Sequence, residues 1–307
     1  MNYRTKNFLL KTFYHLWPKI IFPKARDHFK WNVRRITVDQ RKLEMSEDHR
    51  GNLKKVEPYA LIRVKNERRT LLTSLNSILP VIKKGVIAYN IAPGEETDGS
   101  EKIIEQFCRE NPGFIPFHYP YHVEPPNSPK YATGELAFEN TLGGYYQATL
   151  EQIPKNEWLI KIDVDELFLA PALEHSFSIP KTEEDIVIYS RLDVVRTSTG
   201  QIKIERYLRS GDQWLVFNKD LRFENVVRKR KDGSLFACEH LIKDNSQIPY
   251  SPECSILHFM YEKESREYKG DISKLENLED FLKKADPSEF SEELLTLRDM
   301  ATQFEQS

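Results

Sequence analysis

The sequence has few of the features that mark secreted or disulfide-stabilised proteins. Its three cysteines, Cys108, Cys238 and Cys254, are odd in number and too widely spaced for a disulfide framework or a zinc site. It contains no Asn-x-Ser/Thr acceptor sequence, and its first residues lack the uninterrupted apolar core of a signal peptide. These absences favour a reducing compartment and predict a cytoplasmic protein.

The chain also lacks an apolar run that could cross a bilayer, which takes roughly 20 residues. The most apolar stretch near its start, residues 8–22, is broken by two lysines, a histidine and a proline. Basic groups mixed with Trp17 and Phe22 are typical of a helix that lies at a membrane surface. Two interpretations stay open, because such a helix can bind anionic lipid or pack on the rest of the protein.

The net charge is small, but the charged residues are unevenly distributed. The 307 residues carry a formal net charge of -2, yet residues 1–45 hold eleven Lys or Arg against three acids, a net +8, which leaves -10 for the remainder. An acidic body is a poor partner for nucleic acid, whose phosphates attract basic surfaces. With 39% hydrophobic and 30% charged residues, the chain has the composition of one folded globular protein.

Strand and helix patterns alternate from Tyr59 onward. Apolar runs predict strands at Tyr59–Val64, Gly85–Tyr89 and Phe114–Tyr121. The segments between them have helical spacing over residues 67–82 and from Ser100, which can cap its helix. This order is the signature of a parallel sheet covered by helices, and it predicts an α/β fold.

The second half of the chain is more irregular. We expect a helix over Glu135–Ile153 and a strand over Trp158–Val164, followed by short strands between residues 186 and 260 in a mixed or antiparallel arrangement. The tail from Glu262 is charged and is expected to be mostly helical. One apolar stripe of that tail would consist of Leu275, Leu278, Phe281 and Leu282.

The strongest local signal is the run Lys161-Ile-Asp-Val-Asp-Glu166, in which an apolar strand ends in three acids. Ligands of open α/β sheets collect beyond the carboxyl ends of the strands. Adjacent carboxylates suit Mg²⁺ or Mn²⁺, with a diphosphate completing the coordination. An EF-hand is excluded, because counting from Asp163 places Phe168 where the calcium loop needs glycine. We therefore predict a divalent metal at Asp163 and Asp165.

The order of motifs along the chain resembles that of family 2 glycosyltransferases. The resemblance implies that Asn66 and Glu67 begin the nucleotide pocket, that Asp98 in Thr97-Asp-Gly-Ser100 contacts the nucleoside, and that Asn140 lies near the donor. It also implies a GT-A fold, the nucleotide-diphospho-sugar transferase fold, with a mixed central sheet flanked by helices. Arg63, Lys65 and Lys130 are candidates to offset phosphate charge.

A more specific likeness is to the bacterial β-1,4-N-acetylgalactosaminyltransferases of lipooligosaccharide synthesis, over Tyr59 to Lys263. The matching runs are Ala60–Glu67, Ser74–Pro80, Asp98–Ser100, Phe114–Pro116, Tyr119–Tyr121, Pro129–Tyr131, Trp158–Asp165 and Ile256–Tyr261. The likeness implies an inverting transferase that moves N-acetylgalactosamine from a UDP-sugar to a bacterial surface glycolipid or capsule glycan. His258, which ends one matching run, is a candidate metal or diphosphate ligand.

The expected organisation is a basic segment over residues 1–55, a catalytic domain over 56–262 and a helical tail over 263–307. The basic segment would hold the enzyme on the inner face of the cytoplasmic membrane. Unchanged membrane fractionation after deletion of residues 1–50 would contradict that placement.

One position departs from the family 2 pattern, which usually has an acid just after the second strand, where this chain has Asn90. Asn90 can offer an amide to the uracil edge, and Asp98 can take the acid's role from a longer loop. The general base is also open among Asp212, Glu239 and Asp193, each a carboxylate that could accept a proton from the acceptor hydroxyl. Asp212 is favoured because it lies two residues before Trp214, which resembles the acid and aromatic pair that flanks acceptor sugars in inverting relatives.

Two other functions fit parts of the sequence. A sugar-nucleotide nucleotidyltransferase also uses a nucleotide-binding sheet and acids, but it usually opens with a glycine-rich phosphate loop, and residues 60–70 contain no glycine. A noncatalytic glycan or membrane scaffold would be a transferase with a decayed site. The presence of both Asp163 and Asp165 argues against decay.

Overall fold

The computed structural model describes residues 55–132, 136–209, 212–230, 232–243, 251, 253–263 and 265–305. The basic segment expected over residues 1–55, apart from Lys55, lies outside these residues, so its relation to a membrane stays a prediction. None of the helices in the described part of the chain combines the length and apolar character needed to cross a bilayer.

The described residues contain thirteen strands and six α-helices. In chain order the strands are β1 (Tyr59–Val64), β2 (Lys84–Asn90), β3 (Phe114–Tyr119), β4 (Trp158–Ile162), β5 (Glu166–Phe168), β6 (Ile186–Ile188), β7 (Arg191–Arg196), β8 (Ile202–Leu208), β9 (Trp214–Phe217), β10 (Arg222–Lys229), β11 (Leu235–Ile242), β12 (Ile256–His258) and β13 (Glu276–Asn277). The helices are α1 (Arg68–Ile78), α2 (Ser100–Glu110), α3 (Leu142–Leu150), α4 (Ala170–Ser176), α5 (Leu278–Leu282) and α6 (Leu294–Met300).

The first sheet has the strand order β3-β2-β1-β4-β9-β6. The first four of these strands are parallel, and β9 and β6 extend the sheet antiparallel to their neighbours. Ala60, Leu61 and Ile62 in the middle of β1 are completely buried, as expected when helices cover both faces of a parallel sheet. The prediction of an α/β fold with a mixed central sheet is confirmed.

The second sheet has the order β13-β8-β7-β12-β5 and lines up charged residues from distant parts of the chain. In its register, His258 of β12 lies between Glu166 of β5 and Asp193 of β7. Since β5 begins only four residues after β4 ends, this sheet places His258 and Asp193 beside the acids that follow β4. Strands β10 and β11 form a separate antiparallel hairpin.

Helix α3 is much shorter than the helix expected over residues 135–153. The chain first makes a 3-10 turn at Phe138–Asn140, and the side chain of Thr141 then accepts a hydrogen bond from the Gly144 amide at 3.0 Å. Such a cap fixes where a helix begins. A Cβ atom on Gly144 would lie 2.0 Å from the Phe138 carbonyl oxygen, so the tight turn requires glycine. The expected cap of α2 also differs by one position. Ser100 is the first residue of the helix, and the cap residue is Gly99.

The tail is only partly helical, because α5 and α6 have five and seven residues and turns separate them. Of the expected stripe, Leu278 and Leu282 are buried, Phe281 packs beside them, and Leu275 is only partly covered. Leu278 and Leu282 join a core cluster that contains Leu192 of β7 and Leu257 of β12. The tail thus packs on the second sheet, behind the strands that carry Asp193 and His258.

Candidate active site

The carboxyl ends of β2, β1 and β4 lie side by side at one edge of the first sheet, because these strands are parallel neighbours. The predicted site residues follow those ends: Asn66 and Glu67 after β1, Asn90 at the end of β2, and Asp163 and Asp165 after β4. Ligand sites of open α/β sheets form at this edge. The structure therefore brings the two halves of the predicted site onto one edge.

A narrow crevice opens between the ends of β1 and β2. Its lining residues are Val64, Lys65, Asn66, Tyr89, Asn90, Ile91, Thr97, Ser100 and Glu101. Asn66 is exposed and has a left-handed backbone with φ of 52°, a conformation that asparagine tolerates better than most residues. Of the residues predicted to bind the nucleotide, Asn66 and Asn90 thus line this crevice, whereas Glu67 and Asp98 are not among its lining residues.

Asn90 presents an unpaired oxygen in this region. The residue is 3% exposed, and its Nδ2 donates to the carbonyl oxygens of Tyr119 at 2.9 Å and Tyr121 at 2.7 Å. Two carbonyl partners fix the orientation of the amide, since the reverse orientation would set oxygen against oxygen. The Oδ1 atom is buried and has no hydrogen-bond partner among the residues that the structure describes. Buried acceptors in proteins are normally paired with a hydrogen-bond donor.

Both carboxylate oxygens of Asp98 accept hydrogen bonds from neighbouring residues. Its Oδ2 accepts from the Arg68 amide at 2.8 Å, and its Oδ1 accepts from the Ser100 amide at 3.0 Å and hydroxyl at 2.6 Å. The Ser100 hydroxyl oxygen also accepts from the Glu67 amide at 3.2 Å. Asp98 therefore ties the first turn of α1 to that of α2, a contact that sequence reasoning did not foresee.

Two other predicted donor residues bond to a loop beside the crevice. The Lys130 ammonium forms a salt bridge with Glu124, and Asn140 Nδ2 donates to the His122 carbonyl oxygen at 2.7 Å. Arg63, by contrast, points toward α3, where its guanidinium lies 5.2 Å from the ring centre of Tyr146. Its Nε is buried without a hydrogen-bond partner.

The acids after β4 belong to a larger charged cluster. Asp163, Glu166 and Asp212 each offer a carboxylate oxygen, and these atoms lie within 4.8 Å of one another. Glu166 is completely buried, whereas the Asp212 side chain is 53% exposed. The cluster is a partly buried acidic group that can hold a metal ion.

Arg191 is the centre of this cluster. Its guanidinium binds Glu166 at 3.0 Å, Asp193 at 3.0 Å and also Asp212. Burial raises the pKa of Glu166 well above its usual range, although Arg191 and His258 oppose the shift, and Glu166 Oε2 has no partner. One buried cation thus compensates three carboxylates from three different segments.

Asp163 is bound by residues other than Arg191. Lys161 forms a salt bridge with it, Gln213 Nε2 donates to its Oδ2 at 2.8 Å, and the Tyr146 hydroxyl lies 3.4 Å from its Oδ1. Burial alone would lower the pKa of Lys161, but Asp163 and Asp212 outweigh it and raise that pKa. Lys161 therefore stays charged in the interior.

Asp165 faces His258, apart from the acids gathered around Arg191. Its Oδ2 lies 3.4 Å from His258 Nε2, while His258 Nδ1 bonds to Asp193 Oδ1 at 2.7 Å. Burial would lower the pKa of His258, but Asp165 outweighs it and raises that pKa to about 10. Burial would likewise raise the pKa of Asp165, but His258 and Arg266 hold it below its usual range. The structure brings together these two predicted metal ligands.

The sequence model of the family beta-1,4-N-acetylgalactosaminyltransferase (CgtA) matches residues 26–287. The chain belongs to this family. It is a glycosyltransferase, and as such it uses a nucleotide-sugar donor and a glycan acceptor. A comparison with curated proteins finds no match. The family match extends beyond the likeness seen over residues 59–263 in both directions, and it includes the first part of the tail.

The candidate bases of this glycosyltransferase differ in environment. Asp212 is paired with Arg191 and lies 3.6 Å from Lys161, and these two cations lower its pKa against the opposing effect of burial. Burial raises the pKa of Glu239, against which Lys161 and Arg63 act. Asp193 is completely buried and bound by Arg191, Arg206 and His258, so it cannot reach a substrate.

Several site residues were missed by sequence reasoning. Arg191 and Gln213 hold the acids in place, and Lys263 and Arg266 face Glu67 and Asp165. Arg191 had a detectable signal, because it stands two residues before Asp193, and two charges with this spacing in an apolar run mark one polar face of a strand.

Proposed function

We propose that this protein is a metal-dependent inverting transferase that moves N-acetylgalactosamine from UDP-N-acetylgalactosamine to a bacterial surface glycolipid or capsule glycan. The activity of the family, beta-1,4-N-acetylgalactosaminyltransferase, supports the sugar and the type of bond formed. The structural observation that carries the proposal is the unpaired, buried Oδ1 atom of Asn90.

Asn90 supports uridine as the nucleoside. Uracil presents an N3–H donor between two carbonyl groups, and this donor can satisfy Asn90 Oδ1. Cytosine carries an unprotonated acceptor nitrogen at the same position, which would face the amide oxygen and leave it unpaired. Sites with a buried polar group reject ligands that cannot pair with it. The amide thus takes the role that an acid has in family 2 enzymes.

We propose that Asp165 and His258 hold the metal. Asp163, the third predicted ligand, lies instead with Glu166 and Asp212. Neighbouring ligand atoms of an octahedral ion with bonds of about 2.1 Å stand roughly 3 Å apart, which the 3.4 Å between Asp165 Oδ2 and His258 Nε2 nearly matches. The Asp193 contact to the other imidazole nitrogen is the support that metal-binding histidines usually have. A mixed carboxylate and imidazole set favours Mn²⁺ over Mg²⁺. A bound divalent ion stabilises negative charge on the leaving diphosphate.

The alternative set of Asp163, Glu166 and Asp212 is already compensated by Lys161 and Arg191. A cation between these acids would have to displace two buried positive charges. This cluster therefore fits better as a support that positions Asp163 and Asp212 than as the primary metal site.

The chain's own part in the reaction is to orient the acceptor and take its proton. Glu239 and Asp212 are the carboxylates available for this role. The Asp212 side chain is exposed but forms a salt bridge with Arg191. Glu239 forms no such salt bridge within the described residues, and burial raises its pKa. Proton acceptance therefore suits Glu239, and orientation of the acceptor hydroxyl suits Asp212.

The test is release of UDP from a panel of UDP-sugars with Mn²⁺ present, which needs no known acceptor. We expect turnover of UDP-N-acetylgalactosamine and a loss of about 100-fold or more in Asp165→Ala, since the variant loses a metal ligand. Asp212→Asn and Glu239→Gln, compared once an acceptor is known, should separate orientation from proton transfer. Failure of the native chain to bind UDP or to turn over any donor would overturn the proposal.

A further inference from the structure

Two cations follow β12 and face the acids of the sheet edge. Lys263 Nζ donates to the Lys65 carbonyl oxygen at 2.9 Å and forms a salt bridge with Glu67. Arg266 Nη1 lies 3.4 Å from Asp165 Oδ2, the same oxygen that faces His258. Both cations therefore lie next to residues already placed in the donor site, and neither has a role in it so far.

This part of the chain is anchored on its far side. Glu262 accepts two hydrogen bonds from Arg196, both of 2.7 Å, and pairs with Arg69 at 2.9 Å. The Tyr261 hydroxyl donates to Glu205 Oε2 at 3.0 Å. These contacts to α1, β7 and β8 hold the backbone in place while Lys263 and Arg266 extend toward the sheet edge.

The strand order determines where a bound donor would lie relative to Lys263 and Arg266. The crevice with Asn90 lies between β2 and β1, and Asp165 follows β4, on the other side of β1. From β2 to β4 is two strand spacings, about 10 Å, so a ligand reaching from the crevice to Asp165 crosses the end of β1. Lys65 and Glu67, the contacts of Lys263, are the residues at that crossing.

We propose that Lys263 and Arg266 bind the diphosphate of the nucleotide-sugar donor, an inference that rests on the proposed function. Without donor, the two side chains compensate Glu67 and Asp165. Arg266 would leave the Asp165 carboxylate if a divalent ion were bound there, because the two positive charges would repel each other, and the donor's diphosphate would then offer it the nearest anionic oxygens. Arg266, whose side chain is 46% exposed, has room to make this exchange. Guanidinium and ammonium groups form strong, charge-assisted hydrogen bonds to phosphate.

The experiment compares UDP with uridine, which lacks the diphosphate, on the full chain with Mn²⁺ present. UDP binding is measured by isothermal titration calorimetry and uridine binding by ligand-observed NMR. We expect Arg266→Gln to weaken UDP binding about tenfold or more while uridine binding is unchanged, and Arg266→Lys to restore part of the loss. Lys263→Gln should act in the same direction, with its fold checked by thermal unfolding.

The matched control is Lys274→Gln, which also removes one positive charge but from a side chain that is 80% exposed and contacts only Asp271 in the described structure. UDP binding should be unchanged in this variant. Equal UDP affinity of Arg266→Gln, Lys263→Gln and the native chain would overturn the inference while leaving the proposed function intact. An equal loss of UDP and uridine would also overturn it, because the residues would then act on the fold. Absence of UDP binding by the native chain would remove the proposed function itself.

Discussion

The two ends of the sheet edge hold their polar groups by different means. At the nucleotide end, Asn90 and Asp98 bond mainly to backbone groups of neighbouring turns. At the acid end, carboxylates from three segments converge on Arg191. Bonds to backbone are local, so a substitution there should have a local effect. Buried charges compensate one another, so removal of one changes the energy of all the others.

Arg191→Met is expected to have the largest effect on stability. It leaves Glu166, Asp193 and Asp212 without their common cation, and breaking a buried ion pair costs about 3–5 kcal/mol. Urea unfolding followed by circular dichroism measures the loss. Arg222→Gln is the matched control, because Arg222 and its partner Glu224 are half exposed, and it should change stability by less than about 0.5 kcal/mol. A loss below about 1 kcal/mol for Arg191→Met would show that the acids are not coupled through it.

Asn90→Ala should lower stability less than Arg191→Met does, through loss of the bonds to the Tyr119 and Tyr121 carbonyl oxygens, and should act mainly on nucleotide binding. Without the amide oxygen, UDP binding should weaken about tenfold, and the preference of the native chain for UDP over CDP should disappear. Competition binding with the two nucleotides measures both. Asn111→Ala removes a comparable hydrogen bond, from Asn111 Nδ2 to the Phe107 carbonyl oxygen at 2.9 Å, at the end of α2 and away from the crevice. If the control loses UDP affinity to the same extent, Asn90 does not read the base.

The contrast between the two ends also explains how far the sequence could predict the site. The strands β1, β2, β3 and β4 are visible as apolar runs, and their parallel order places Asn90 and Asp165 on one edge. The late start of α3, at Leu142, was missed, because it depends on the Thr141 cap and on tight packing at Gly144. Local patterns carry no information on such contacts.

The acid cluster could not be predicted for a related reason. Its central residue, Arg191, is 25 positions from Glu166 and 21 from Asp212. The pairing of the second sheet brings Arg191 close to Glu166, and Asp212 comes from the segment just before β9 of the first sheet. The prediction that Asp163 and Asp165 act as a pair describes neighbours in sequence. In the structure Asp163 faces Lys161 and Gln213, whereas Asp165 faces His258.

The smallest expected effect is that of replacing Asp98, and it tests whether this residue contacts the nucleoside. Its bonds to Ser100 recur at Asp232 with Ser234, at Asp271 with Ser273 and at Asp286 with Ser288, where an aspartate accepts from both the amide and the hydroxyl of the serine two positions later. This recurrence shows that the Asp-Gly-Ser run forms a common local turn and needs no ligand to explain it.

We therefore expect Asp98→Ala to lower stability by about 1 kcal/mol through loss of the bonds to Arg68 and Ser100, and to leave UDP affinity within about twofold. Asp271→Ala, which removes the same turn in the tail, calibrates the stability change without touching the crevice. A tenfold loss of UDP affinity in Asp98→Ala alone would restore the nucleoside contact implied by the resemblance to family 2 enzymes. Asn90 would then share recognition of the nucleoside with an acid, and the nucleotide end would depend on charge as the acid end does.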